Sequence, residues 1–569
     1  MSLTAGAMSA PAALRRCTMP LLIFLVSFAV QAASLPRVIF NIYDEGLIVF
    51  GAQRVLEGDI PYRDFWSLYA PGQFYAVAGL FSLFGSSVLV ERLWDVAVRA
   101  AVVAFGFMWA RRLKARAYAY AASVTILLIL AGAGFHGFPI IHALLFGLIS
   151  GYLVLAGSGA AQPTAYFVAA GALAGVAALF RHDIGFYVFA AEALALACRP
   201  IIAQSGHSLN KPARKLLALG GGAVVVVAPV AIWLLMNVPA HDLWFSLFDY
   251  VMTTYPAVRG MPFPDPPNPR SLLSGTQSAA DFNESALIYF PLAAAAMGIV
   301  HVLRAARKQP ESSEQSLQSF GVLLLSLMSM FLYLKGMVRV SSLHLLQSIV
   351  PAVLLVFVLA GRGSRATSRL RYAVPFVAVA VVFGLAASHA RSAYVAAREN
   401  WSALRPFMPE APRGLRGALA QVCTPQAGLE RARCFQVRPD DAAVIQFLQQ
   451  QSSPNEVIYI GTSVHDRIFI NNIMLYFLAE RPSATKWHQF DPGVQTTTTV
   501  QSEIVDELTR HKVRYLVLSS EWAENREPNA SALSSGVTLL DDYIRSNFVK
   551  AQEFGHASIW ERQPRSGDR

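Results

Sequence analysis

The chain is short of charge. Asp, Glu, Lys and Arg make up 15% of its 569 residues, against roughly 25% in an ordinary soluble domain. That shortage argues against a string of water-soluble domains. Together with a hydrophobic content of 54%, it excludes disorder, collagen and coiled coil. Cysteine is scarce too: there are four, and no Cys/His spacing matches a zinc site. The spaced glycines of a dinucleotide fingerprint are missing. With no nucleotide-phosphate motif and no dense exterior acidic cluster, neither a metal nor any other cofactor is expected.

What the chain has is apolar length. A membrane span needs about 20 apolar residues. Eleven stretches are candidates: 19–36, 91–110, 117–134, 139–156, 164–180, 184–198, 216–236, 286–303, 319–335, 343–360 and 372–389. Arg15 and Arg16 before the first, and Ala32-Ala33-Ser34 at its end, would also suit a signal peptide. A retained anchor is preferred, because many spans follow.

The net charge of +11 belongs wholly to this apolar part. Residues 1–390 hold 27 Lys/Arg and 16 Asp/Glu, whereas residues 391–569 hold 20 of each. The excess sits in short clusters: Arg15/Arg16; Arg111, Arg112, Lys114 and Arg116; Arg199, Lys211, Arg214 and Lys215; Arg304, Arg307 and Lys308; Arg362, Arg365, Arg369 and Arg371. Eleven alternating crossings put every cluster on one face, which the positive-inside bias makes cytoplasmic. This is a membrane-topology pattern, not a nucleic-acid-binding patch. It predicts a polytopic α-helical core over 1–389, with exterior loops at 37–90 and 238–285, and an exterior domain over 390–569.

In the first loop the apolar run "FYAVAGLFSLFG" is too short to cross and reads as an interfacial helix. The second loop centres on "YPAVRGMPFPDPPNPR", where the proline density predicts a loop rather than a helix interior. The tail predicts strands near 456–461 and 513–520 and helices over 469–480 and 500–511, hence a small, open-sheeted, partly parallel α/β domain. Cys423 and Cys434, eleven apart in an oxidising compartment, are expected to form a disulfide.

Some residues could carry chemistry. Asp44 and Glu45 follow span one, where a carboxylate could take a proton from an attacking hydroxyl. Adjacent carboxylates point in different directions, so they do not share one role. Helix capping by Asp44 is the competing explanation. Arg63, Asp64 and Tyr69, with Trp66, would suit sugar recognition or interfacial anchoring. Arg181, His182 and Asp183 break an apolar stretch at its exterior edge, where a wet helix connection is the bland alternative. Lys335, Arg339 and His344 form a short exterior turn suited to a phosphate or pyrophosphate group, which Arg259 could join.

These stretches also resemble a known family. "YDEGLIVFGAQRVLEGDIPYRDFWSLYAPGQFY" (43–75), "FGSSVLVERLW" (84–94), "RHDIGFY" (181–187) and "HDRIFINNIMLYFLAERPSATKWHQFDPG" (465–493) are similar to segments of the polytopic C-type glycosyltransferases. The resemblance is to the bacterial protein O-mannosyltransferase-like and aminoarabinose-transferase-like group. It implies an enzyme of the bacterial inner membrane that takes a hexosyl or pentosyl unit from a polyprenyl-phosphate carrier. The acceptor would be an exterior-facing glycan, lipid or protein, and transfer would be inverting if Asp44 acts alone as base. The family's functional aspartate maps onto Asp44, and Glu45 matches its acidic neighbour. The later acidic motif of eukaryotic protein mannosyltransferases has no counterpart. The alternatives are a transporter or flippase of a lipid-linked sugar, and a non-catalytic protein of cell-envelope glycan assembly.

Overall fold

The computed structural model describes residues 10–39, 41–115, 117–134, 136–203, 210–307, 312–363, 369–405, 422–467 and 470–564. Arg116, Lys308 and Arg365 of the basic clusters lie outside the described residues. The N-terminal two thirds is helical: α1 (Ala10–Ala33), α2 (Asp44–Leu56), α3 (Gly72–Phe84), α4 (Val88–Arg112), α5 (Tyr118–Gly132), α6 (Pro139–Ser158), α7 (Thr164–Phe180), α8 (His182–Ala203), α9 (Asn210–Asn237), α10 (Ala279–Ala306), α11 (Ser313–Lys335), α12 (Leu346–Gly363) and α13 (Arg369–Leu404). Each of the eleven apolar stretches overlaps one of these helices. Among the described residues, six helices are long and apolar enough to cross a membrane. One apolar face of α9 is open: Val225 and Met236 are 72% and 80% exposed. A helix apolar on its outward face needs lipid rather than water around it. The chain is a multi-pass membrane protein.

Proline did not exclude helix from the second long loop as expected. Phe245–Thr254 is π-helical and continues into the short helix Tyr255–Arg259. Pro256 sits in the first turn of that helix, where a missing N–H is tolerated. Regular structure then stops, and residues 260–268 are irregular.

The tail forms a four-stranded sheet in the order β1-β2-β4-β3, with β1 Tyr459–Thr462, β2 Tyr515–Ser519, β3 Phe548–Phe554 and β4 Ala557–Arg562. β1 and β2 are parallel, and the other two pairs are antiparallel. Ile460, Leu516 and Val517 are wholly buried, as a strand covered on both faces requires. The crossover between β1 and β2 carries a helix over Thr498–Arg510. Val500, Ile504 and Leu508 recur at helical spacing on its buried face, and the Thr497 side chain caps it by accepting from the Val500 N–H. Of the expected helix over 469–480, residue 469 lies outside the described residues, and Met474–Ala479 is the helical part of the rest. Cys423 and Cys434 are joined by a disulfide.

α2 is held between the helical core and this tail. Gly46 lies so close to residues 473–474 that a Cβ there would meet the Met474 nitrogen at 2.6 Å. The Phe50 ring stacks on Tyr476 with centroids 4.8 Å apart. The Met474 N–H donates to the Ile42 carbonyl at 3.0 Å. On the core side, Arg92 of α4 grips both Glu45 oxygens, at 2.6 and 2.9 Å, and donates to the Pro36 carbonyl at 2.7 Å. Glu45 therefore pins α2 to α4. Both partners are essentially unexposed, so neither tolerates loss of the other.

Glu45→Gln would leave the Arg92 guanidinium buried and unpaired, at a cost of about 3–5 kcal/mol. The expected outcome is a markedly lower thermal midpoint of the purified protein, followed by intrinsic fluorescence in detergent. Glu45→Gln and Arg92→Met should lose most of the coupling when combined.

Candidate functional site

A cavity of about 490 Å³ opens where α2, the α7–α8 junction, the helix Tyr255–Arg259, the α11–α12 turn and the tail meet. It gathers Asp44, Tyr69, Arg181, Asp183, Arg259, Lys335, Arg339 and His344 from the sequence-predicted residues. Four of those sequence-predicted residues do not line it. Glu45 faces the other way, onto Arg92. Arg63 and Asp64 pair with each other at the surface at 2.8 Å, and Asp64 accepts the Ile60 N–H at 2.7 Å, which fixes a turn. His182 packs beside Phe248, with ring centroids 5.7 Å apart. Glu45 therefore cannot act on a molecule in this cavity: one step along a helix turns a side chain by about 100°.

Asp44 opens α2. Its backbone N–H is taken by the Asn41 side-chain oxygen at 3.1 Å. The Asp44 carboxylate itself caps nothing, which removes the capping explanation, and it has no hydrogen-bond donor among the described residues. Burial and the neighbouring Asp491 carboxylate push its pKa up to about 6, against the pull of Arg259, Arg339 and Lys335. A carboxylate so placed is both available and basic near neutral pH.

The cations come from three separate elements. Arg181, at the C-terminal end of α7, is satisfied by Asp183 through bonds of 3.1 and 2.9 Å, and its guanidinium lies 5.2 Å from the Tyr69 ring. Arg259 ends the short helix after the π-helical segment. Its Nε is buried and has no acceptor among the described residues. Lys335 ends α11 with its ammonium 5.6 Å from the Phe138 ring centre, and no carboxylate among the described residues lies within ion-pair distance of it. Arg339 follows in the turn to α12. That turn is tied to the proline-rich loop by the Met261 N–H, which donates to the Val338 carbonyl at 2.8 Å. His344 bonds Ser341 at 2.7 Å at the edge of the same turn.

Two lining carboxylates were not foreseen. Asp491 accepts from the Gln489 amide at 2.9 Å and the Tyr43 hydroxyl at 3.2 Å, and burial raises its pKa. The Tyr43 hydroxyl also meets the Phe490 carbonyl, so the residue before Asp44 is fastened to the residues around Asp491. Glu527 pairs with Arg339 at 2.7 and 3.2 Å and lies 3.8 Å from Arg259. Asp491 ends a stretch already noted for its resemblance, "KWHQFDPG", but nothing local marks it as facing Asp44. Glu527 carries no sequence mark at all. With these two, the lining holds four cations (Arg181, Arg259, Lys335, Arg339) and four carboxylates (Asp44, Asp183, Asp491, Glu527). A cavity lined by a buried donor without an acceptor among the described residues and by a basic carboxylate can bind an oxyanion and take a proton beside it.

No family model matches the sequence, and no curated protein does. Solved structures do. ArnT from Cupriavidus metallidurans in the apo state is 14% identical, with a TM-score of 0.55 over 96% of this chain and 98% of that one. The same protein bound to undecaprenyl phosphate is 15% identical, with a TM-score of 0.50 over the same shares, 96% and 98%. The archaeal oligosaccharyltransferase AglB from Archaeoglobus fulgidus, with an inhibitory peptide and a dolichol-phosphate, is 12% identical over 97% of this chain and 75% of that one, at a TM-score of 0.49. The chain thus has the fold of ArnT.

Proposed function

We propose that the protein is a membrane glycosyltransferase that moves a sugar from a polyprenyl-phosphate carrier to an exterior-facing glycan, lipid or protein acceptor. The observation that carries this is the single cavity in which Asp44 shares walls with Arg259, Lys335 and Arg339. The fold shared with ArnT, solved with undecaprenyl phosphate, supports the class of donor. In this reading the donor's phosphate lies against the three cations. The acceptor hydroxyl attacks the anomeric carbon as the bond to the phosphate oxygen breaks. Asp44 takes the hydroxyl proton, and the leaving phosphate keeps the electron pair and its charge beside the cations. One attacking group and one base give inversion. Arg181, held by Asp183, presents Tyr69 to the sugar.

The topology that goes with this has eleven crossings, a cytoplasmic N-terminus and residues 390–569 as an exterior domain, in the bacterial inner membrane. The one-sided basic clusters support it. A transporter would need charges set within its spans; α4 does carry Arg92, Asp95 and Arg99, but they are closed off in ion pairs with Glu45 and with each other, whereas the charges that line the cavity sit at helix ends and in loops.

Asp44→Asn should fold normally and bind donor, while turnover falls by roughly 100-fold or more. A purified-enzyme assay with a polyprenyl-phosphate sugar measures both, and near-wild-type turnover would remove Asp44 as base. In the wild type, kcat/KM should fall as pH drops through about 6, where Asp44 takes up a proton. Asp491→Asn removes the adjacent negative charge. It should therefore lower the Asp44 pKa and move that acid limb to lower pH. Topology is tested in whole cells with a membrane-impermeant thiol reagent on a Cys17→Ser, Cys198→Ser background. Leu533→Cys should label and Arg307→Cys should not.

A further inference from the structure

A two-oxygen ion pair in the cavity occupies the groups that the proposed donor needs. Glu527 offers both carboxylate oxygens to Arg339, at 3.2 and 2.7 Å, with Arg259 next to them at 3.8 Å. Two oxygens on a planar guanidinium is also the geometry of a phosphate on arginine. Glu527 is held lightly. It lies in a turn with no regular structure, its side chain keeps 23% of its exposure, and its further partner is the Asn529 amide at 2.9 Å. Asn529 in turn reaches the Arg259 carbonyl at 3.4 Å. The Glu527 side chain is thus latched to the cation wall by a few polar contacts. Arg259 Nε, beside this pair, has no acceptor among the described residues, and Lys335 has no carboxylate within ion-pair distance among them. The wall therefore has room for a second anion while its best fork is occupied.

We propose that Glu527 is an internal competitor for the phosphate group: it occupies the Arg339–Arg259 fork in the empty site and is displaced when a donor phosphate arrives. The inference rests on the reading of those cations as the phosphate site. It assigns Glu527 a specificity role within that site. A phosphate dianion or monoanion bridging Arg339, Arg259 and Lys335 gains three cations where Glu527 satisfies two. After transfer, the returning carboxylate lowers the cost of releasing the carrier phosphate, because Arg339 is not left bare. Electroneutrality of the empty cavity is kept by the same residue.

The test is equilibrium binding of undecaprenyl phosphate to the full chain in nanodiscs, comparing wild type, Glu527→Gln, Glu527→Asp and Arg339→Ala. Glu527→Gln keeps size and the amide contact to Asn529 but removes the competing charge. It should bind about fivefold tighter or more, the scale for a partly exposed ion pair. It should also release the carrier phosphate more slowly. Glu527→Asp keeps the charge and controls for changes in folding; it should bind no tighter than wild type. Equal or weaker binding by Glu527→Gln would overturn the proposal, because a carboxylate that merely holds Arg339 in place would act that way. If Arg339→Ala binds like wild type, the phosphate site itself has been misplaced, and the failure belongs to the functional reading instead.

Discussion

Charges confined to a cavity of low dielectric must be matched, and the site is arranged around that match. Four cations and four carboxylates share a space of about 490 Å³. A lone buried ion would cost several kcal/mol, so each wall has to be assembled with its counter-charges. The helical core supplies the cations together with Asp44 and Asp183. The tail supplies Asp491 and Glu527. The tail is thus part of the electrostatics of the site as well as a cover, and the fold has to bring residues more than 400 positions apart into register. The contact between α2 and the tail does this, through Gly46 against residues 473–474 and Tyr43 against Phe490 and Asp491. A side chain at Gly46 would push Asp44 out of that register.

The match is complete in number but uneven in space. Arg181 is closed off by Asp183, which leaves it to orient Tyr69 rather than to receive a ligand. Arg339 is held by Glu527. Lys335 and Arg259 carry the unspent donor capacity. Asp44 has a second carboxylate, Asp491, near it and no hydrogen bond to its carboxylate among the described residues. An incoming phosphate would find donors free and a base already raised toward neutral pH by burial and by Asp491. Positioning and electrostatics of this kind require no change in the protein at the moment of reaction.

Much of this was legible in the sequence because it rests on local pattern. Apolar runs marked the helices, short apolar stretches marked β1 and β2 as buried strands, and two cations four residues apart marked Lys335 and Arg339. Asp44 stood out by its place after the first span and by its motif. What was not legible depends on long-range pairing. Glu45 looks like a second catalytic carboxylate until Arg92, 47 residues on, is seen to claim it. Arg63, Asp64 and His182 carry suitable chemistry but face a turn or a neighbouring helix. Asp491 and Glu527 gain meaning only from residues of the core that approach them in space. The π-helical segment that delivers Arg259 has no compositional mark, since its extra residue per turn is imposed by packing.

The cations that line the cavity with Asp44 are proposed to receive the donor's phosphate. The most direct measurement is a cryo-electron microscopy structure of the full chain in nanodiscs with undecaprenyl phosphate. Phosphate density is expected within hydrogen-bond distance of Arg339, Arg259 and Lys335, in the same cavity as the Asp44 carboxylate. Phosphate density resting on other residues, with this cavity empty, would contradict it.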